Sequence, residues 1–493
     1  MPGLESLKFM KREFIELIKN NLSKTGIMLF VVMTFATWSI WIQAGAINKD
    51  GLLYLKQAFF FSEGKTSEAL HLFPYPFYSY LIGSIYKLTG VSLLWIAHGI
   101  NLILFGIATF FYLKTLRLID NSSTIVFYGG ITLLSFMPIM DDYVGMLVRD
   151  HGMWAGCMAA TYFFLKARET NNNKYYLLWN FALLFAAFFR PEALIFLFVM
   201  PCIEFFLLKN KSFKSLLVSF RFILAIFTIS LTFLAYSQIV MIQNVIPTVL
   251  EKILNLTVFF DRSEAIATDN FWLSFLLNDY SKLILFGGLT FVFIFKWFVS
   301  LGVIHLSILL FGLKNKFSFI TKYKLVIFTL AATSLFLVFL NLINVYVVSG
   351  RYFVMHWWWL LLIIAASLKY IDVSVNIKWI NFIRKILYFF ITVLILNSVI
   401  DSKNIDVERL AGNYLGSQYK SYVIKSIDAD RVLFYAGLPM NSIIQSSKIN
   451  VNEADIIVIK SNSDLDISNF NDFEEIEVFF KKNKYISIMR RKI

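Results

Sequence analysis

Residues 25–51, TGIMLFVVMTFATWSIWIQAGAINKDG, join a long apolar run directly to an acidic residue, Asp50. A run of roughly 20 apolar residues is long enough to cross the hydrocarbon core of a bilayer as a helix. The preceding segment, 1–24, carries too many charges for a signal peptide, and no small-residue cleavage site follows the run. We therefore expect a first transmembrane helix that is retained, with Asp50 just beyond its end at the membrane surface.

The composition of the whole chain supports a membrane protein. Of its 493 residues, 58% are hydrophobic and only 16% are charged, and the mean hydropathy is +0.67. These values exclude an ordinary water-soluble globular protein. The two cysteines, Cys157 and Cys202, both lie inside apolar runs and indicate neither a disulfide framework nor a metal site.

Eleven apolar runs are candidate spans. They are residues 25–46, 91–113, 124–140, 150–166, 175–189, 191–208, 222–243, 283–313, 325–347, 352–368 and 386–400. The longest, 283–313, contains Lys296 near its middle and is expected to be either one tilted helix or an interfacial helix followed by a short span. The predicted fold class is an all-α polytopic membrane protein with about eleven transmembrane helices.

Lysine and arginine decide the orientation of these spans, because cytoplasmic loops are enriched in both. With a cytoplasmic N-terminus, the basic clusters all fall on the cytoplasmic side, in 1–24, 114–123, 166–174, 209–221, 314–324 and 369–385. The formal net charge of +14 is therefore interpreted as a topology signal, and no nucleic-acid partner is expected.

The first loop and the tail are then predicted to be extracytoplasmic. Within the loop, segments 51–61 and 76–88 are amphipathic but too short to span, which predicts interfacial helices. The sequence divides into a transmembrane domain, 1–400, and a soluble extracytoplasmic domain, 401–493.

The tail contains short strand-like runs, which predict a small α/β domain. They cover residues 431–436, 454–460 and the chain from Val478 onward, where residues 481–484 are expected to turn a hairpin.

Polar residues concentrate on the predicted outer side. The segment MDDYVGMLVRDHG supplies Asp141, Asp142, Arg149, Asp150 and His151 between the third and fourth spans. FFRPEA supplies Arg190 and Glu192, and VSGRYFVMHWWW supplies Arg351 and Tyr352. Ionisable residues at this depth in the membrane are costly and usually serve a pathway or a site.

Several motifs follow one another along the chain. They are Asp50 with Tyr54 after the first span, FPYPFYSYLIGSIYKLTG, VRDHGMWAGCMAATYFFLKA, FRPEALIFLF, GRYFVMHWWWLLLIIAA, and RVLFYAG with EADIIVIKS in the tail. In these features the chain resembles the GT-C superfamily of membrane glycosyltransferases, particularly bacterial relatives of protein mannosyltransferases and of the lipid A aminoarabinose transferase. The motifs follow the same order and cover nearly the whole chain.

This resemblance implies an inverting transfer at the outer face of the plasma (inner) membrane, from a polyprenyl-phosphate sugar to a glycan, lipid or protein acceptor. It implies Asp50 as the general base, with Arg149, Arg190 and Arg351 receiving the phosphate. No cofactor is expected beyond the lipid-linked donor, and a divalent metal stays open. Protein mannosyltransferases usually have Asp-Glu where this chain has Asp50-Gly51, so Asp141 or Asp142 is a candidate second acid.

Simpler roles stay open for several of these residues. Asp50 could cap a helix that begins at Gly51. Asp141 and Asp142 could form a solvated turn, and Arg149 with Asp150, or Arg190 with Glu192, could neutralise each other at helix ends. His151 and His356 are candidates for structural histidines, and Trp357, Trp358 and Trp359 for an interface belt.

Three other function classes compete with the transferase. A polysaccharide polymerase or O-antigen ligase also handles polyprenyl-linked glycans, but resemblance among those proteins usually lies in a large loop late in the chain. In a flippase or transporter we would expect repeat symmetry and charges at the bilayer midplane. A structural scaffold has no need of converging polar residues.

Overall fold

The structure of the protein is a computed structural model. It describes residues 24–43, 47–122, 124–207, 281–314, 321–346, 349–374, 388–397, 407–446, 454–461, 472–481 and 484–492, together with Phe220, Lys385 and Phe470. The predicted span 222–243 lies outside these residues.

The protein is mostly helical and has the helices of a membrane protein. Five of the described helices are long and apolar enough to cross a membrane: Lys24–Ile42, Leu93–Ile119, Leu283–Leu313, Leu325–Ile343 and Gly350–Ile371. Two further apolar helices, Thr124–Leu134 and Tyr388–Asn397, are shorter than a span.

The helices up to Ser374 are numbered in chain order. They are α1 (Lys24–Ile42), α2 (Lys49–Ser62), α3 (Thr66–Leu72), α4 (Phe77–Thr89), α5 (Leu93–Ile119), α6 (Thr124–Leu134), α7 (Asp150–Thr170), α8 (Asn173–Phe189), α9 (Ile195–Leu207), α10 (Ser281–Lys314), α11 (Thr321–Val345) and α12 (Gly350–Ser374). A π-helical turn, Pro138–Tyr143, follows α6, and a 3-10 turn, Pro191–Leu194, precedes α9.

Several predicted spans are interrupted. The run 124–140 is an 11-residue helix followed by the π-helical turn, and the run 191–208 is a 3-10 turn followed by the 13-residue α9. The long α10 breaks at Gly302, whose φ of 70° and ψ of 158° are not helical. Glycine tolerates this positive φ because it has no Cβ.

The chain divides into two compact units. Unit 1 comprises Met1–Ser39, Ile100–Gly145 and Arg149–Ile400, and unit 2 comprises Ile40–Gly99, Met146–Val148 and Asp401–Ile493. The first loop and the tail therefore belong to the same unit.

In unit 1, α12 is enclosed by its neighbours. Trp357, Trp358 and Trp359 have no exposed surface, so the prediction of an interface belt is wrong. Large rings occupy positions on several faces of α12, and Trp359 Nε1 donates a hydrogen bond of 3.0 Å to Thr161 Oγ1 on α7. The bond satisfies the indole N–H of Trp359, as is usual for a buried tryptophan.

Unit 2 contains the three short helices of the first loop, α2, α3 and α4, so the amphipathic segments are helical as expected. Helix α13 is Tyr388–Asn397, before the tail. The tail elements are α14 (Val407–Gln418), β1 (Ile424–Ile427), α15 (Asp430–Tyr435), α16 (Met440–Ser446), β2 (Ile456–Ser461), β3 (Phe473–Lys481) and β4 (Lys484–Arg491). This confirms a small α/β arrangement in the tail.

The four tail strands form one sheet in the order β1-β2-β4-β3. β1 and β2 are parallel, whereas β4 is antiparallel to both β2 and β3. Lys481 pairs with Lys484 across the predicted hairpin. The predicted strand 431–436 is instead helix α15, because Val432, Leu433 and Ala436 recur at helical spacing and are all buried.

Candidate functional site

A charged cluster in unit 1 gathers residues from the ends of three helices. Asp150 begins α7, Arg190 follows the last residue of α8, and Arg351 lies in the first turn of α12. Pro191 has no backbone N–H and stops α8 at Arg190, whose backbone is extended. Each charged residue is thus placed where a helix begins or ends.

Arg190 is held by two carboxylates. Its Nη1 donates to Asp150 Oδ1, and its Nη2 and Nε donate to the two oxygens of Glu192 at 3.0 and 3.4 Å. Burial by itself lowers the pKa of Arg190, but the two carboxylates raise it well above its usual value. Arg190 neutralises Glu192 as the simpler interpretation expected, and it also pairs with Asp150.

Tyr352 lies against two guanidinium groups. Its ring centroid is 5.2 Å from Cζ of Arg190 and 5.1 Å from Cζ of Arg351. Arg351 Nη2 also donates to the Tyr352 hydroxyl at 3.3 Å. These distances suit cation–π attraction, so the ring fixes the orientation of both arginines.

Arg149 and His151 flank Asp150 and are both buried. The charges of Arg190, Arg351 and Arg149 all act on the Asp150 carboxylate. Three arginines therefore converge electrostatically on one acid. The His151 ring packs on Trp154 with centroids 4.5 Å apart, which agrees with a structural histidine.

The π-helical turn brings Asp141, Asp142 and Tyr143 toward the start of α12. Asp141 is buried and Asp142 is half-buried, so Asp141 does not lie in a solvated turn. Tyr143 hydrogen-bonds Ser349, and burial raises its pKa to about 12, with the Asp142 carboxylate adding to the rise and Arg351 opposing it.

Tyr143 was not among the residues predicted for the site. A Cβ added at Gly350 would lie 2.4 Å from the Tyr143 hydroxyl oxygen, closer than van der Waals contact allows. The only sequence signal was the position of Tyr143 beside the two acids and of Gly350 beside Arg351. Tyr143 therefore connects the acidic turn to the helix end that carries Arg351.

Asp50 belongs to unit 2 and lies in the first turn of α2, half-buried. The helix begins at Lys49, and Asn48 occupies the N-cap position. Asp50 is therefore not the cap, and that alternative is wrong because the helix starts two residues earlier than predicted. A carboxylate in a first turn is stabilised by the helix dipole.

Asn48 connects the start of α2 to Leu147. Its Nδ2 donates to the Leu147 carbonyl at 3.2 Å, and its Oδ1 accepts from the Leu147 N–H at 3.1 Å. This paired contact leaves little room at the next turn. A Cβ added at Gly51 would lie 2.7 Å from Asn48 Oδ1 and 2.8 Å from Leu147 Cβ.

The crowding limits which side chains this position can hold. A glutamate in place of Gly51 would displace Asn48 or Leu147, so no second acid fits directly after Asp50. Asp141 and Asp142 remain the candidate second acids.

We expect Gly51→Ala to lower the free energy of unfolding by about 1–3 kcal/mol, the usual cost of overpacking. Thermal unfolding of purified protein in detergent would measure it. Gly99→Ala is the matched control, because a Cβ at Gly99 meets nothing within 4 Å. Equal melting temperatures for the two variants would show that the crowding at Gly51 is relieved without cost.

Tyr54 lies one helical turn after Asp50 and is buried. Its ring packs edge-on against Phe73 at 5.6 Å and Tyr78 at 5.4 Å. On the same helix, Gln57 Nε2 donates to the carbonyls of Ala69 and Phe73 at 2.9 and 2.6 Å. These contacts give Tyr54 a packing role that holds the first loop around α2.

No group of three or more His, Cys, Asp or Glu residues suitable for a metal ion occurs in the described part of the chain. The chain matches no protein-family model, and no curated protein matches it.

Proposed function

We propose that the protein is a GT-C-like glycosyltransferase that moves a sugar from a polyprenyl phosphate to an acceptor at the outer face of the plasma (inner) membrane. The observation that carries the proposal is a cluster of cations at helix ends in unit 1. Arg190 binds Asp150 and lies with Arg351 against the Tyr352 ring, and Arg149 directly precedes Asp150 at the start of α7. A membrane protein that binds a lipid phosphate needs cationic donors of this kind near the bilayer surface.

The proposed topology has about eleven spans and a cytoplasmic N-terminus. The five long apolar helices support a polytopic arrangement, and the distribution of Lys and Arg supports the orientation. In this topology the first loop, the segment 141–151, Arg190, Arg351 and the tail all face the same aqueous compartment.

The proposed reaction is an inverting displacement at the anomeric carbon. Asp50 removes the proton from the acceptor hydroxyl as that oxygen bonds to the anomeric carbon. The bond from this carbon to the phosphate oxygen breaks at the same time, and its electron pair leaves with the polyprenyl phosphate. The position of Asp50 in the first turn of α2, half-buried, supports a carboxylate that an acceptor hydroxyl can reach.

The arginines receive separate roles in the proposal. Arg190 already spans Asp150 and Glu192, so it is assigned to holding the cluster together. Arg351 is half-buried with its guanidinium against the Tyr352 ring, and it is assigned, with Arg149, to the phosphate of the donor. Arginine suits this task because its planar fork binds two phosphate oxygens at once.

We expect Arg351→Ala to weaken binding of a polyprenyl-phosphate sugar about 10- to 150-fold, as for a lost hydrogen bond to a charged group. Binding would be measured by titrating the purified protein in detergent with donors that differ in sugar. Lys174→Ala is the matched control, because it removes an exposed charge on the predicted cytoplasmic side.

The same titration separates the transferase from its nearest rival. If the protein binds a polyprenyl-diphosphate oligosaccharide and no monophosphate donor, a polymerase or ligase replaces the proposal. Unchanged monophosphate binding by Arg351→Ala would remove Arg351 from the donor site.

A further inference from the structure

We propose that the C-terminal α/β domain is a positioning element that holds α2, the helix carrying Asp50, through contacts at the start, middle and end of that helix. This rests on the proposed function, in which Asp50 is the general base. The contacts all lie within unit 2, and the positioning residues are Tyr435, Asp430 and Lys56.

The start of α2 is held by Tyr435. The Ile47 N–H donates to the Tyr435 hydroxyl at 2.9 Å, and Ile47 is almost completely buried. Ile47 lies three residues before Asp50. Together with the pairing of Asn48 and Leu147, this bond fixes the backbone just where it enters the helix.

The middle of α2 is held by an ion pair. Lys56 Nζ bonds to Asp430 Oδ2, and the lysine side chain is only 11% exposed. Ser426 Oγ donates to the other oxygen of Asp430 at 2.6 Å, so the carboxylate is itself oriented. A largely enclosed lysine is costly to leave unpaired, which makes this contact selective for one placement of α2.

The end of α2 packs against α16. Ile444 and Met440 form an apolar cluster with Phe60 and its neighbours on α2 and with Ala69 on α3. A helix is a stiff rod with a rise of about 1.5 Å per residue. Contacts at Ile47, Lys56 and Phe60 therefore fix where α2 places Asp50 within unit 2.

The domain is built to keep Tyr435 and Asp430 in place. A Cβ added at Gly412 of α14 would lie 2.4 Å from Tyr435 Cβ, and one added at Gly416 would lie 2.6 Å from the Ala436 carbonyl oxygen. The two glycines thus let α14 approach the backbone of α15 closely. Beside them, buried Glu408 binds Arg431 at 2.8 Å and Lys460 at 2.7 Å, which ties α14 to α15 and β2.

The test combines a structural measurement with kinetics on the full-length protein. In Asp430→Ala, we expect faster amide hydrogen exchange in peptides covering 47–62, and a kcat about 10- to 100-fold lower, as for a displaced catalytic group. The KM for the donor should stay near the wild-type value. The charge-swapped variant Lys56→Asp/Asp430→Lys should restore slow exchange and most of kcat.

A milder variant, Tyr435→Phe, removes only one hydroxyl. Like Asp430→Ala, it should speed amide exchange in 47–62 and lower kcat. Glu475→Ala, an exposed acid on β3, is the control and should change neither. Unchanged exchange in 47–62 for both Asp430→Ala and Tyr435→Phe would overturn the proposal, as would faster exchange with an unaltered kcat. If the wild-type protein transfers no sugar, the proposed function fails, and the exchange rates alone decide whether the domain holds α2.

Discussion

Asp50→Asn protein is expected to bind the polyprenyl-phosphate sugar as the wild type does and to transfer little or none of it. The side-chain amide of asparagine is close in shape to the carboxylate, but it does not take the proton from the acceptor hydroxyl. General base catalysis typically contributes about 10²- to 10⁴-fold to a rate, so the loss of kcat should lie in that range. Single-turnover transfer from a radiolabelled donor would measure it.

Glu63→Gln is the matched control for this variant. Glu63 is an exposed acid just after the last residue of α2, so its neutralisation should leave transfer unchanged. A wild-type rate in Asp50→Asn protein would contradict the assignment of the base. Loss of donor binding together with transfer would instead assign Asp50 to binding.

Arg190→Ala is expected to have the largest effect on stability. It should lower the free energy of unfolding by about 3–5 kcal/mol, as when one partner of a buried ion pair is removed. The Asp150 side chain is only 5% exposed, and removal of Arg190 takes away the cation bonded to both acids. Denaturant unfolding in detergent would measure the change in free energy of unfolding.

A double variant separates charge imbalance from lost packing. If an uncompensated Asp150 carboxylate is the cause, Arg190→Ala/Asp150→Asn should be more stable than Arg190→Ala alone. Equal stability of the single and double variants would attribute the loss to other contacts of Arg190, including its position over the Tyr352 ring.

Much of the fold could be predicted because apolar runs and charge patterns are local properties of the sequence. The membrane helices, the helical first loop and the hairpin of the tail were predicted in this way, whereas about eleven spans and their orientation stay predictions. Residues 431–436 were assigned wrongly because Val, Phe and Tyr favour strands. The burial of Val432, Leu433 and Ala436 at helical spacing outweighed that preference.

Burial of the tryptophan run could not be predicted from one chain segment. Trp357, Trp358 and Trp359 are typical of an interface belt by composition alone. Their environment depends on which helices surround α12, and the bond from Trp359 to Thr161 joins residues far apart in sequence. Tertiary packing therefore decided the outcome.

The candidate site likewise divides into features that local sequence patterns contain and features that depend on tertiary packing. The sequence put Arg190 and Asp150 in loops on the same predicted side of the membrane, and the two side chains form an ion pair in the structure. The crowding at Gly51 and the contact of Tyr143 with Gly350 depend on distances between separate segments, which no local pattern contains. The helix start at Lys49 was missed because Asp50 and Gly51 together resemble a cap.

The most direct test of the account is whether the purified wild-type protein releases free polyprenyl phosphate from a polyprenyl-phosphate sugar in the presence of an acceptor mixture. The account predicts release that requires the acceptor, with transfer of the sugar and inversion at its anomeric carbon. No release from any monophosphate donor, together with turnover of a polyprenyl-diphosphate oligosaccharide, would contradict it.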